Sequence, residues 1–254
     1  RQHTIYADFP RNQFNPSVRH YRRKHASNRR DSHLQQFLLR HATYAIWDDH
    51  ETENDCHGGH PHMAEGLQVF REYWPSKPDG SQGLYRRFNW AGVDFFILDT
   101  RTFRSPHADQ EGQAKTMLGN VQKQWLLAAL ESSSSPFKFI MSSVPFQGGG
   151  TDTWGNYRTE RNEIASFIRE RKIGGVVFLT GDYHLARDWT NAKAGFREYM
   201  AGPIASFTHY RHSPTSRDRY EKSGTFHYGD GYNFGMVRVD PTTRKAGIEF
   251  IDID

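Results

Sequence analysis

The chain has 254 residues, with 33 Lys and Arg against 29 Asp and Glu, for a net charge of +4. That length can bury a sizeable core, and so small a basic excess is not by itself the composition of a nucleic-acid-binding protein. The single cysteine, Cys56, excludes an intramolecular disulfide and a cysteine-rich zinc site, and no apolar run nears the roughly 18 residues that span a membrane.

Thr4-Ile5-Tyr6-Ala7 reads as a short strand end, stopped by Phe9-Pro10. Arg11 to Arg30 carries seven Lys and Arg and no acid. This run suits a solvated helix face or a rim that attracts phosphate. Leu34, Phe37 and Leu38 have helical spacing. The apolar run Tyr44-Ala45-Ile46-Trp47 is expected to be a strand, and it leads straight into Asp48-Asp49-His50-Glu51. Residues 64–74 predict a helix with Leu67, Phe70 and Trp74 on one face. A hairpin follows over 84–98, turning at Ala91-Gly92, and its second strand is apolar enough to be buried on both faces.

Val121, Trp125, Ala128 and Ala129 mark one face of the next helix, which Ser132–Ser135 and Pro136 stop. Residues 137–144 predict a strand. Ile164, Phe167 and Ile168 mark another helix, with Thr159 as a candidate cap. Val176–Thr180 is a second buried strand, ending in Gly181-Asp182-Tyr183-His184. Two strands close the chain, near 235–239 and 246–253, with a turn at Asp240-Pro241. Helices alternating with buried strands argue for an α/β fold, and the hairpins argue for mixed sheets.

Three expected strand ends carry polar clusters: Asp48-Asp49-His50-Glu51, Asp99-Thr100-Arg101 and Gly181-Asp182-Tyr183-His184. In open α/β sheets, ligands sit at the carboxyl ends of strands. Carboxylates and imidazoles suit Fe, Mn, Zn or Ca, and a guanidinium suits a phosphate oxyanion. Together they point to metal-assisted hydrolysis of phosphate esters. Each residue also has a plainer reading. Asp48 suits a cap of the following loop, Asp99 a turn acid, Arg104 a salt bridge and Trp125 the core. Cys56-His57-Gly58-Gly59-His60-Pro61-His62 suits a solvated loop better than a second metal site.

Five segments in order resemble the PhoD-type alkaline phosphatases and phosphodiesterases, within the calcineurin-like metallophosphoesterase superfamily. They are Trp47-Asp48-Asp49-His50-Glu51 with Asn54; Phe96 to Arg101 with Arg104; Met117-Leu118-Gly119 with Gln122 and Trp125-Leu126; Asp152 to Tyr157 with Arg161; and Leu179 to His184. The resemblance covers most of the chain and implies one metallophosphatase domain over 1–254. The implied fold is an α/β metallophosphoesterase-like αββα sandwich, two mixed β-sheets flanked by helices. It implies Tyr6, Asp49, Asp182 and His184 as metal ligands, and His50 facing the substrate as a transition-state stabiliser or proton donor. Arg101 would hold phosphate oxygens, and Trp154 and Tyr157 would border the substrate cleft. Two metals are implied, Fe3+ and Ca2+ foremost, with Mn2+ or Zn2+ as substitutes.

The pattern breaks at one place. The family's bridging Asp falls on His3, and an upstream Cys ligand has no counterpart, so the domain is expected to be N-terminally incomplete. The expected partner is a phosphate ester, with no stable nucleic-acid partner and no membrane span. An extracellular or periplasmic setting follows from the resemblance, although this chain carries no signal peptide. The alternative function is a catalytically degenerate phosphatase fold that binds phosphorylated polyanions.

Overall fold

The computed structural model of the chain describes residues 15–75, 77–80, 82–191, 194–217 and 225–253. Tyr6 and His3, with the strand expected around them, lie outside the described residues. Two helices come first, Val18–Asn28 (α1) and Ser32–Arg40 (α2). The Asp31 carboxylate caps α2 by accepting from Leu34 N at 2.8 Å. Tyr21 buries α1 against Val69 of the third helix, Met63–Tyr73 (α3). Part of the basic run is used in that packing. Arg22 donates to the Glu72 carboxylate at 2.7 and 2.6 Å, and Arg29 donates to Tyr73 O at 2.6 Å while lying over Trp74.

The main sheet has seven strands. They are Arg86–Trp90 (β1), Val93–Ile97 (β2), Phe137–Met141 (β3), Val176–Thr180 (β4), Ala186–Asn191 (β5), Phe196–Met200 (β6) and His227–Tyr228 (β7). Their spatial order is β1-β2-β3-β4-β6-β5-β7. Strands β2, β3, β4 and β6 run parallel, β1 is antiparallel to β2, and β5 is antiparallel to both β6 and β7. The β1–β2 turn works because Ala91 and Gly92 both take positive φ, 50° and 78°, matching the twist of the strands.

Helices Gly119–Glu131 (α4) and Arg158–Glu170 (α5) connect β2 to β3 and β3 to β4. They cover the sheet with one apolar cluster that includes Phe96, Leu126, Leu130, Ile140, Ile164 and Phe178. Burying such side chains is worth about 1.5–3 kcal/mol each before the entropy of ordering them. A short helix, His209–His212 (α6), precedes β7. The tail forms a separate antiparallel pair, Asn233–Asp240 (β8) and Lys245–Asp252 (β9). The fold is mixed α/β, as expected. Among the described residues, however, the second sheet is a two-stranded antiparallel pair rather than mixed.

Four local expectations change. Residues 44–47 form no strand, because side chains rather than a backbone ladder hold them. Tyr44 stacks on Phe88 at 4.4 Å, Arg86 Nη2 donates to Ala45 O at 3.0 Å, and Trp47 packs with Cys56, Met63, Phe70 and Leu84. The buried face of α4 is Gln122, Leu126, Leu127 and Leu130, and Val121 is 74% exposed. Thr159 is not the cap of α5. Instead the Glu111 carboxylate accepts from Arg158 N, Thr159 N and Thr159 Oγ1 at 3.2, 2.7 and 2.7 Å. Strands β5 and β6 were not anticipated, because Arg187, Asp188, Arg197 and Glu198 interrupt their apolar pattern.

A carboxylate centre at the strand ends

The parallel strands finish in step. Leu98 N donates to Met141 O and Ser142 N to Leu179 O, both at 3.0 Å, just beyond β2 and β3. Their carboxyl ends therefore emerge together: Asp99-Thr100-Arg101, Ser142-Ser143 and Gly181-Asp182-Tyr183-His184. Gln122 on α4 pins the first of these. Its Oε1 accepts from Asp99 N, and its Nε2 donates to Asp99 O, both at 2.8 Å. The Asp99 side chain then accepts from Trp47 Nε1, Leu84 N, Arg101 N and Thr102. Asp99 is thus the turn acid of its plainer reading, and it ties the irregular 42–56 stretch to the end of β2.

That tie brings Asp48 and Asp49 to the end of β4. Oxygens of Asp48, Asp49 and Asp182 all lie within 4.8 Å of one another, as do those of Asp49, Asp55 and Asp152. Asp49 belongs to both groups and is held in place, since its carboxylate accepts from His50 N at 2.7 Å and Asp55 N at 2.9 Å. Asp182 follows β4 with φ of 73°, and His184 has φ of 55°. A left-handed backbone at two non-glycine residues in one turn is a costly conformation of the kind found at functional sites.

Charge is unevenly balanced here. Burial pushes the Asp182 carboxyl well up, and the nearby Asp48, Asp49 and Asp152 push it further, against Arg101 alone. Burial also raises Asp48, despite Arg101 beside it. It lifts Glu51 to about 7, although Glu51 accepts from Asp48 N at 2.8 Å. Asp152 goes the other way. Burial works to raise it, but Arg101 and Arg104 overcome that and hold it at about 2.

Arg101 does not have the role expected of it. The guanidinium is fully buried, and each of its three nitrogens is engaged within the protein. Nε donates to Asp48 at 2.7 Å, and Nη1 donates to Asp152 at 2.9 Å and Cys56 O at 3.4 Å. Nη2 donates to Asp152 at 2.7 Å and lies 2.6 Å from Asp48. The guanidinium therefore faces Asp48 and Asp152 rather than an open site. Arg104 is the salt-bridge residue of its plainer reading, bound to Asp152 and to Thr100 O.

Trp154 and Tyr157 also depart from expectation. Both are fully buried in the main core, where Trp154 Nε1 donates to Ser142 Oγ at 3.1 Å and Tyr157 OH to Ser105 O at 2.8 Å. Their apolar rings are satisfied by the core under α4 and α5, so neither borders an open cleft. His50 stands beside the centre, its Nε2 3.9 Å from Asp49 Oδ2, with its side chain 20% exposed. His184 comes from the right turn, but its imidazole is not in either carboxylate group. Its Nδ1 lies 2.6 Å from Phe207 O and its ring packs on Phe207.

The sequence left Asp48 between a loop cap and the metal-suited cluster and gave Asp55 no metal role, and the structure brings both into acidic groups. Asp48 adjoins Asp49 in the motif, which was a signal. Asp55 had only its place a few residues downstream. In the histidine-rich loop, Cys56 is buried in a core cluster and His60 pairs with Glu53 at 2.5 Å.

Comparison with known proteins matches residues 2–250 to the PhoD-like phosphatase family. Alkaline phosphatase D of Bacillus subtilis (strain 168) is 29% identical over 205 residues, covering 66% of this chain and 35% of that protein. A solved structure of PhoD superposes with a TM-score of 0.73 at 23% identity, covering 93% of this chain and 56% of that one, which shows a shared fold. The chain therefore spans well under two thirds of the length of either relative.

Proposed function

The chain belongs to the PhoD-like phosphatase family, and from that premise we propose that its carboxylate centre binds metal ions and hydrolyses phosphate monoesters or diesters. The observation that carries this reading is the crowding of Asp48, Asp49 and Asp182. Three carboxylates share one small space, and burial and neighbouring carboxylates oppose the ionisation of Asp48 and Asp182. A cation there would neutralise what the protein leaves unbalanced, and an all-oxygen donor set suits hard ions such as Ca2+ or Fe3+.

Asp48, Asp49 and Asp182 would hold one ion, and Asp49, Asp55 and Asp152 a second, with Asp49 between them. A bound metal would act as a Lewis acid toward a phosphoryl oxygen and would lower the pKa of bound water. The protein's own groups then have separate tasks. Arg101 fixes Asp48 and Asp152 from beneath. Asp152 stays ionised at neutral pH because Arg101 and Arg104 flank it. His50, held at its backbone by Asp49, is placed to donate a proton to a leaving oxygen. The family resemblance adds His184 and Tyr6 as further ligands, with Fe3+ and Ca2+ as the pair and Mn2+ or Zn2+ as substitutes. It also supports an extracellular or periplasmic setting.

Hydrolysis of an aryl phosphate monoester and an aryl diester, each with added Ca2+, Mn2+ or Fe3+, tests the reading. Metal-dependent turnover that falls at least about a hundredfold in His50→Ala is expected for the loss of a general acid. Turnover that needs no metal and survives His50→Ala would contradict it. Metal-dependent binding of phosphorylated polymer without hydrolysis would favour the degenerate alternative.

A further inference from the structure

A cleft of about 500 Å³ opens beside α5, lined also by Gln147, Gly148, Asn191 and Ala194, and it shares no residue with the carboxylate centre. Its size suits a small molecule. Arg161, Ala165 and Arg169 line it from one face of α5, at steps of four residues. Gln147 enters from the loop after β3, and Asn191 from the end of β5.

The lining holds two guanidiniums, Arg161 and Arg169, and no carboxylate among the described residues. Arg161 is half-buried, and its three hydrogen bonds are all long: two to Asn162 Oδ1 and one to Gly148 O, each 3.4 Å. Among the described residues no carboxylate forms an ion pair with it. The acids that face it at longer range, Glu111 and Glu198, are already engaged. Glu111 caps α5. Glu198 accepts from Phe146 N, Gln147 N and Thr180 Oγ1. Arg158 adds repulsion from the same side, and burial pulls Arg161 below its ordinary range. At the rim, Arg169 pairs with Glu170 at 2.9 Å.

Gln147 supplies an independent sign. Its Nε2 is buried without an acceptor among the described residues. A buried amide nitrogen left in that state costs about 1–3 kcal/mol. Gln147 lines the same cleft as Arg161, and a turn of its amide toward an anion there would satisfy that nitrogen. The two residues come from separate segments, α5 and the loop after β3, so an anion between them would meet donors from two directions, as a tetrahedral group can.

We propose that this cleft binds a tetrahedral oxyanion, a phosphate ion or the phosphoryl group of a small molecule, held by Arg161 and Gln147. The site does not depend on the reading of the carboxylate centre. Its test is therefore run on the full chain in EDTA, where metal-dependent phosphate binding is suppressed. Inorganic phosphate, glycerol 3-phosphate and acetate are titrated separately at low salt, following amide and side-chain resonances of 147, 161–169 and 194 by NMR.

The expected result is saturable shifts at these residues with phosphate or glycerol 3-phosphate. The tighter of the two tells whether the free ion or a carried phosphoryl group is the better fit. Arg161→Met should weaken binding at least about tenfold, or 1.4 kcal/mol, with an unchanged circular dichroism spectrum. Ser166→Glu, which adds a negative charge at the cleft, should do the same and carries the test if Arg161→Met fails to fold. Absence of saturable shifts, acetate binding as tightly as phosphate, or undiminished affinity in the folded variants would overturn the assignment.

Discussion

Asp152 and Asp182 stand in one site, both buried among other acids, and their environments push them in opposite directions. Asp152 meets two guanidiniums, Arg101 through both terminal nitrogens and Arg104 through one. Asp182 meets Asp48 and Asp49, with Arg101 as the opposing charge. The first is paired within the protein, and the second carries negative charge that a cation would balance under the proposed function. One buried network can therefore hold carboxylates that the protein neutralises to very different degrees. Which role a carboxylate takes depends on its partners rather than on its burial.

The comparison breaks most sharply at Arg101. Arg101→Met should leave Asp48 and Asp152 buried without their partner and cost about 3–5 kcal/mol in urea unfolding. A cost below about 1 kcal/mol would mean that the scaffold side is not built as described. Asp182→Asn should act the other way. Removing one of three crowded charges should raise the melting temperature of the metal-free protein, by at least about 2 °C if the relief reaches 1 kcal/mol. It should also shrink the stabilisation that added Ca2+ confers. A lower melting temperature in EDTA would contradict the crowding.

The sequence made the main sheet readable where strands were uniformly apolar. Strands β2 and β4 were evident because each is a nearly continuous apolar run, β2 buried on both faces and β4 on the face of Val176 and Phe178. Strand β6 was hidden because Glu198, buried yet satisfied by two backbone N–H groups and Thr180, looks like a solvent-facing residue. The expectation for 44–47 failed for the opposite reason. An apolar run can be anchored by its side chains alone, as Tyr44 on Phe88 and Trp47 on Asp99 show. At the site, Asp49 and Asp182 were legible from their place in motifs. The role of Arg101 was not, because counting its hydrogen bonds requires Asp152, fifty-one residues away.

Acid should separate the two sides of the site further. The folded pKa of Asp152 is depressed to about 2 from 3.8, so its contribution is fully present above pH 3.8 and is lost as pH falls through 2. The difference is worth about 2 kcal/mol. Denaturation midpoints of wild type and Asp152→Asn between pH 2 and 6 should converge toward the acid end. Parallel curves over that range would remove Asp152 from the scaffold. A smaller effect is expected from Trp154→Phe, which keeps the ring in the core but loses the bond to Ser142. It should cost about 1 kcal/mol and leave KM for a phosphate ester unchanged. A large rise in KM would return Trp154 to the substrate side. The least effect belongs to the surface pair Lys123–Glu163, which links α4 to α5 at 2.7 Å. Lys123→Ala should change stability by under about 1 kcal/mol.

Metal binding itself gives the most direct test of the unbalanced side. Calorimetric titration of Ca2+ and of Mn2+ into EDTA-stripped, desalted protein should show saturable binding in wild type. Binding should be lost in Asp49→Asn, since Asp49 belongs to both carboxylate groups. No binding in wild type, or equal affinity in a folded Asp49→Asn, would contradict the account.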